Sequence, residues 1–424
     1  MDSVRRELMP GVYLNYVHAT KFKTGLLSAQ LITPLDEKTV APGALTPAVL
    51  HRGTTRYPDM RSLSTALDLL YGASAAHTAR KKGENQCLGF IAGFIDDKYA
   101  LGGERLLEPM AEMLGELLLD PVTKNGRFLS DYVDSEKSNL IDTIRSVRDD
   151  KRDWADKRLL EEMCRSERYG IPLLGTENGV RRCNNQTLYR FYRSLLETAQ
   201  LELFYCGSAE MSRVEDALAR PFAALPRGVI VPPVPAVRRS APESPRYITE
   251  RMDVTQGKLA MGLRAESRDI PALMYVNLLF GGYSNSKLFL NVREKLSLCY
   301  YASSAYHRSK NIITVSSGVE FDKFQLAHDE ILAQLDAIRR GEIEQWELDG
   351  ARGVMLSMLR QQQDSAGYQE DVALFQAATG IWTDDLALMA ELQAVTPERI
   401  AEAAQSIRLD TVYFLTGEEE PPHD

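Results

Sequence analysis

The stretch Lys287-Leu288-Phe289-Leu290-Asn291-Val292-Arg293-Glu294-Lys295-Leu296-Ser297-Leu298-Cys299-Tyr300 sets an arginine and a tyrosine seven residues apart behind an apolar lead. Both side chains are strong hydrogen-bond donors, and both hold a carbonyl oxygen harder once it becomes an oxyanion. Two roles fit them. Arg293 pairs with a neighbouring glutamate on the surface while Tyr300 fills a core, or the two act together on a carbonyl oxygen. Just ahead lies Gly281-Gly282-Tyr283-Ser284-Asn285-Ser286-Lys287. It lacks the G-x-x-x-x-G-K-[ST] spacing, and Leu288 follows the lysine, so it is not a phosphate loop. Its small residues suit close approach of another backbone.

A second stretch, Ala44-Leu45-Thr46-Pro47-Ala48-Val49-Leu50-His51-Arg52-Gly53-Thr54, reads as an apolar helix with a proline inside it. Proline in a helix interior removes a hydrogen bond and costs about 3 kcal/mol, which predicts a bent or shortened helix. The six histidines are His18, His51, His77, His307, His328 and His423. No two lie within five residues of each other, so no local pair offers a zinc site. His51 beside an apolar helix reads as structural, and His423 falls in an acidic tail that reads as disordered.

At 424 residues with 44% hydrophobic content, the chain is expected to fold as two domains or more. A net charge of -9 argues against nucleic acid and anionic membrane as partners. The opening Met1-Asp2-Ser3-Val4-Arg5-Arg6-Glu7 has no apolar core after its basic pair, and no window approaches a membrane span. A cytoplasmic protein is expected. Cys87, Cys164, Cys183, Cys206 and Cys299 are odd in number and scattered, which reads as reduced thiols. Cys299 has no nearby His and Asp to activate it as a nucleophile.

Six prolines between Pro226 and Pro245 mark a semi-rigid connector. They divide the chain into 1–225, a linker 226–245, and 246–424. The two parts look like weak repeats. Gly25 to Ile32 and Gly257 to Leu263 alternate in the same way, and Leu201 to Gly207 and Val412 to Gly417 each end an apolar strand on glycine. Leu88 to Ile95 and Ile312 to Val319 read as further strands. Apolar spacing predicts helices over Glu104 to Leu119 and around Leu326, Ile331, Leu332, Leu335 and Ile338. The mixed-sign run Arg145 to Arg158 reads as an exposed helix with i, i+4 pairs. Strands mixed with long helices in each part give an α+β class, two domains each with a sheet packed on helices.

The Lys287 to Tyr300 block resembles the L-F-x-x-V-R-E-K-x-G-L-x-Y motif of the insulinase/pitrilysin zinc metallopeptidases. The Ala44 to Thr54 segment resembles the family's H-x-x-E-H-M-L-F-K-G-T helix with its chemistry removed. The histidine positions fall on Ala44 and Ala48, the glutamate falls on Pro47, and Gly53-Thr54 is kept. In the family the two histidines share a zinc ion and the glutamate is general base on its water. The third ligand, a glutamate, falls on Thr143 within Ser135 to Ile144, with Asp142 beside it. Asp149-Asp150-Lys151 resembles a block of the bacterial, non-catalytic branch.

The resemblance implies a duplicated fold of the mitochondrial-processing-peptidase type, close to the LuxS metallohydrolase fold. It implies no zinc or other cofactor in this chain, and no catalysis by it alone. It further implies a heterodimer with an H-x-x-E-H paralogue around a peptide chamber. Arg293 and Tyr300 would be donated in trans, with Gly281 and Gly282 as a substrate turn. The alternative is a stand-alone peptide-binding or scaffolding protein. A peptidase with an unrecognised metal site fits least, because the histidines do not cluster in sequence.

Overall fold

The computed structural model describes residues 3–417, so His423 lies outside the described residues. The chain forms two compact units, each an α+β sheet packed on helices. The first sheet holds β1 (Ser3–Met9), β2 (Val12–His18), β3 (Thr24–Pro34), β4 (Ser74–Lys82), β5 (Asn85–Ile95) and β6 (Gln200–Gly207). Their order is β1-β2-β6-β3-β5-β4. The second holds β7 (Arg246–Arg251), β8 (Gly257–Ala265), β9 (Cys299–His307), β10 (Ile312–Val319) and β11 (Ile407–Thr416). Their order is β9-β10-β8-β11-β7.

The pairing sense repeats as well. β2 runs parallel to β6 and β7 parallel to β11, while the remaining pairs in both sheets are antiparallel. The internal repeat is therefore present in five strands of each sheet, with β3 matching β8 and β6 matching β11, and β1 is an addition to the first sheet. Edge strand β9, which carries Tyr300, takes the place that β4 holds in the first unit.

Helices follow the apolar stripes. Leu107–Leu119 buries Met110, Leu114, Leu117 and Leu118. Phe324–Arg339 buries Ile331, Leu335 and Ile338. Leu326, placed on that stripe from spacing, is 58% exposed instead. The helix α1 (Val40–Leu50) continues through Pro47, with Pro47 O accepting from His51 N at 3.0 Å. The expected shortening does not occur.

The units are not contiguous in sequence. One runs to Ile144 and adds 171–236 and 362–381; the other takes 145–170, 237–361 and the chain from Trp382 onward. The change at 236/237 falls inside the proline-rich segment, but two helices cross the division drawn there. α2 (Ser130–Ser146) ends the first stretch, and α3 (Lys151–Met163) belongs to the second unit. There Ala155 and Leu159 pack with Ala260, Tyr413 and Leu415 on β8 and β11. A Cβ at Gly262 would meet Met163 Sδ at 2.5 Å, so any larger residue there would make the Met163 side chain of α3 move aside. Reciprocally, α4 (Ala366–Thr379) lies on the first sheet, with Leu374 and Ala378 against Ile32 and Cys87. Buried Glu370 accepts from Ser28 Oγ at 2.8 Å and from Arg80 Nη1 at 2.6 Å. Each sheet thus has one face covered by a helix from the other half of the sequence.

The run Arg145 to Arg158 is accordingly a helix end, a turn and a new helix. Asp150 caps α3, accepting from Arg152 N and Asp153 N, both at 3.0 Å. The proline-rich segment is not free either, since Asn85 exchanges two hydrogen bonds of 2.8 Å with the Val234 backbone.

α3 carries one destabilising group. Asp156 Oδ1 is buried without a partner, and burial raises its carboxyl from 3.8 to about 6 against the opposing effects of the Ser316 hydroxyl and Arg152. A folded-state value above the unfolded one favours folding below about pH 4, and that advantage is lost as pH rises to about 6. At neutral pH the ionised carboxylate opposes folding by roughly 3 kcal/mol at most. Asp156→Asn is expected to raise stability by about 1–3 kcal/mol at pH 7 and by little at pH 4, measured by urea unfolding at both.

Candidate functional site

The α1 face that would carry metal ligands is chemically blank. Ala44 and Pro47 are buried and Ala48 is half-buried. Thr143 lies exposed on α2, its Oγ1 donating to Asn139 O at 2.9 Å. The scaffold remains, because Ala41 of α1 packs with Ile141 of α2 and with Val180. A zinc ion does not fit: alanine methyls and proline offer no lone pair, and among the described residues no group of three His, Cys, Asp or Glu can hold a metal.

The fold does bring two histidines together that sequence spacing kept apart. His51, just after α1, and His77, on edge strand β4, have ring centroids 5.3 Å apart. His51 Nε2 lies 3.0 Å from Ala75 O, which makes that nitrogen the protonated one. Burial first, then the neighbouring His77, holds the His51 pKa below its usual value; burial does the same at His77. Arg52, beside His51, pairs with Glu136 of α2. The two imidazoles pack ring against ring, and His51 also holds the Ala75 carbonyl.

Arg293 and Tyr300 sit on either side of one turn in the second unit. The segment Leu288–Lys295 is a π-helix, a rare form that recurs at functional sites. Its apolar side buries Leu288 and Val292. Arg293 is left 42% exposed in its side chain, with its guanidinium 4.7 Å from the Phe289 ring and its Nε 3.4 Å from Glu294. The turn passes through Ser297 at φ +49°, a left-handed conformation that side chains disfavour. The peptidase motif has glycine here. Ser297→Gly is expected to stabilise the chain by roughly 0.5–1 kcal/mol, read as a higher melting temperature.

Tyr300 is not a core aromatic. The β9–β10 register shifts between Cys299 and Tyr301, so Tyr300 is the bulged residue and is 64% exposed. Bulges re-aim side chains next to binding sites. Its hydroxyl donates to Glu320 Oε1 at 2.7 Å, and that bond to an anion raises the phenol pKa. Neither the bulge nor Glu320 was foreseen from sequence.

Gly281 and Gly282 close a π-helical turn, Leu278–Gly282. A Cβ at Gly281 would meet Ser304 N at 2.7 Å and Leu288 Cδ1 at 2.8 Å. The backbone that comes close is β9 of the same unit. Lys287 ends the loop in a buried pair with Glu347, at 2.9 and 3.0 Å to its two oxygens. All five cysteines are free and buried, and burial raises the Cys299 thiol pKa. Among the described residues, no helix is long and apolar enough to cross a membrane.

Duplicated sheet-and-helix units, a ligand helix without ligands and a retained Arg/Tyr turn define a metallopeptidase-type scaffold that has lost its metal chemistry. Comparison with known proteins agrees. Residues 182–355 match the model of the peptidase M16 inactive domain. A probable inactive metalloprotease of Bacillus subtilis, YmfF, is 33% identical over 413 residues, 96% of either chain. A conserved protein from Enterococcus faecalis superposes with a TM-score of 0.90 at 26% identity, covering 99% of this chain and 100% of that one. An M16 inactive domain from Pseudomonas fluorescens reaches 0.78 at 16% identity over 99% and 100%. The chain belongs to the M16 peptidase family, the insulinase/pitrilysin peptidases, among its inactive members.

Proposed function

We propose that this chain is the non-catalytic subunit of an M16-type zinc peptidase. It pairs with a paralogue carrying H-x-x-E-H, forms half of a peptide-binding chamber, and presents Arg293 and Tyr300 to the partner's metal site. Gly281 and Gly282 set the backbone of the turn beside the peptide. Zinc resides in the partner alone, where it supplies the activated water.

One observation carries this reading. Tyr300 and Arg293 both stand exposed at one turn, each beside a carboxylate, while the positions of the family's metal ligands carry alanine, proline and threonine. Exposed donors on a chain whose ligand helix offers no metal ligand suit a reaction centre on another chain, where they would stabilise developing negative charge.

The test is to purify this chain and an H-x-x-E-H paralogue from the same genome separately and together. A stoichiometric complex that cuts peptides, with neither subunit active alone, is the expected result. Chelator-sensitive cleavage by this chain alone would overturn the reading. A paralogue equally fast without it would leave a stand-alone peptide-binding protein.

A further inference from the structure

We propose that β7 is the edge at which two copies of this chain pair, strand to strand and antiparallel about a twofold axis. In the first sheet β1 covers the outer edge of β2, which it joins through the turn at Pro10-Gly11. β7 is the counterpart of β2, since each runs parallel to the strand beside it. Among the described residues no strand covers β7. The residues leading into it hold Pro242 and Pro245 and form no strand of their own. The backbone shows what this edge offers. Met252 N donates to Thr416 O at 3.0 Å, so by alternation Ile248 and Glu250 also face β11, and Tyr247 and Thr249 turn their N–H and C=O groups outward. Neither proline nor bulge interrupts β7, and such an edge is a template for another strand.

The occupant follows from the chemistry of the strand, Arg246-Tyr247-Ile248-Thr249-Glu250-Arg251. A twofold contact must be self-complementary. With the outward residues opposed, Thr249 meets Thr249 of the other copy, and Tyr247 meets Arg251. Both are favourable cross-strand pairs, the first between hydroxyls and the second between a ring and a cation. This register keeps the two Arg251 side chains apart. The three residues share one face, on which all are exposed. On the other face the charges are already held within the chain, Arg246 by Asp410 at 2.6 Å and Glu250 by Trp154 and Tyr413. The seam therefore sets no like charges face to face. It lies on the far edge of the sheet from β9, about 19 Å away at four strand spacings, so pairing through β7 leaves the turn of Arg293 and Tyr300 uncovered.

The test uses the full chain alone, so its outcome is independent of any paralogue. Analytical ultracentrifugation over a range of concentrations should show a monomer–dimer equilibrium. Thr249→Pro deletes only an outward N–H and spares the ladder to β11. It removes two bonds per dimer and is expected to raise the dissociation constant about 10- to 100-fold with circular dichroism unchanged. Thr249→Cys supplies a second readout that does not depend on how proline is tolerated. Position 249 faces itself at a Cα separation of about 5.5 Å, so the short thiol crosslinker dibromobimane should give a covalent dimer. The five native cysteines are buried, and Arg340→Cys on the exposed surface should give none. A monomer at every concentration overturns the proposal. So does a dimer that Thr249→Pro leaves intact and Thr249→Cys does not crosslink, because another face then makes it. A dimer that forms only after residues 418–424 are removed would make the chain's own end the occupant of the edge, and the second copy would be the wrong assignment.

Discussion

Arg293→Ala is expected to lower kcat of the assembled peptidase about 100- to 1000-fold, with Tyr300→Phe producing a loss in the same range. In the proposed complex each removes one donor aimed at developing charge, and such donors act far more strongly in a closed site than in water. The substitutions are informative because stability gives them little room to act otherwise. Arg293 is 42% exposed in its side chain and meets Glu294 and the Phe289 ring. Its ion pair with Glu294 is of the exposed kind, worth about 0–1 kcal/mol. Tyr300 keeps its ring in the phenylalanine variant and loses only the oxygen bonded to Glu320. Circular dichroism and complex formation should therefore be unchanged while turnover collapses. Arg340, exposed and paired with Glu342, serves as control, and Arg340→Ala should leave the rate alone. An unaltered rate in both Arg293→Ala and Tyr300→Phe would refute donation in trans.

The strands and the repeat were legible because their signal is local. Alternating apolar residues mark β3, β8 and β10 whatever they pair with. The destination of α3 and α4 was not legible. Ala155 with Leu159, and Leu374 with Ala378, announce a face to be buried but not the sheet that will bury it. A division at the prolines therefore looked clean in sequence and is crossed twice in the fold. The pairing of His51 with His77 likewise depends on where β4 lies beside the end of α1. At the functional turn, period-two reading places Tyr300 by alternation from buried Cys299 and Ala302, but an even spacing cannot separate two buried residues by three positions. The extra residue is the bulge, and it puts Tyr300 outside. The glycine-to-serine change at 297 was visible, though its positive φ was not. The shortening expected of the Pro47 helix is absent. Losing one backbone donor at Pro47 did not end a helix whose apolar residues are held in the first unit's core.

Glu167→Ala is expected to cost about 3–5 kcal/mol, because it takes from buried Lys310 and Arg264 the carboxylate they share. Glu167 lies in the turn after α3, and its carboxylate receives Arg264 Nη2 at 2.7 Å and Lys310 Nζ at 2.6 Å. Lys310 is 0% exposed, Arg264 3% and Glu167 2% in their side chains. Arg264 Nε reaches Asp410 at 2.6 Å, and Arg246 reaches the same carboxylate at 2.6 Å while bonding Met163 O at 3.0 Å. The network thus fastens the α3 segment to β7, β8 and β11. Removing one member differs from deleting an exposed pair such as Arg340–Glu342, where water takes over the charges and the loss is about 0–1 kcal/mol. Replacing the whole network by well-packed apolar residues would be far milder, since the charges then need no compensation. The pH dependence is a second readout. Burial opposes the charge on Glu167, but Lys310 and Arg264 outweigh it and hold the carboxyl below its ordinary 4.5. A depressed folded value stabilises the fold above the unfolded one and loses that contribution as pH falls through the folded value. The gap in urea midpoint between wild type and Glu167→Ala should accordingly be full at pH 7 and narrow in acid below about pH 4. Hydrogen exchange should show α3 opening first in the variant. A midpoint shift no larger than that of Arg340→Ala would mean that apolar packing of Ala155 and Leu159, and not the buried charges, holds α3 to its sheet.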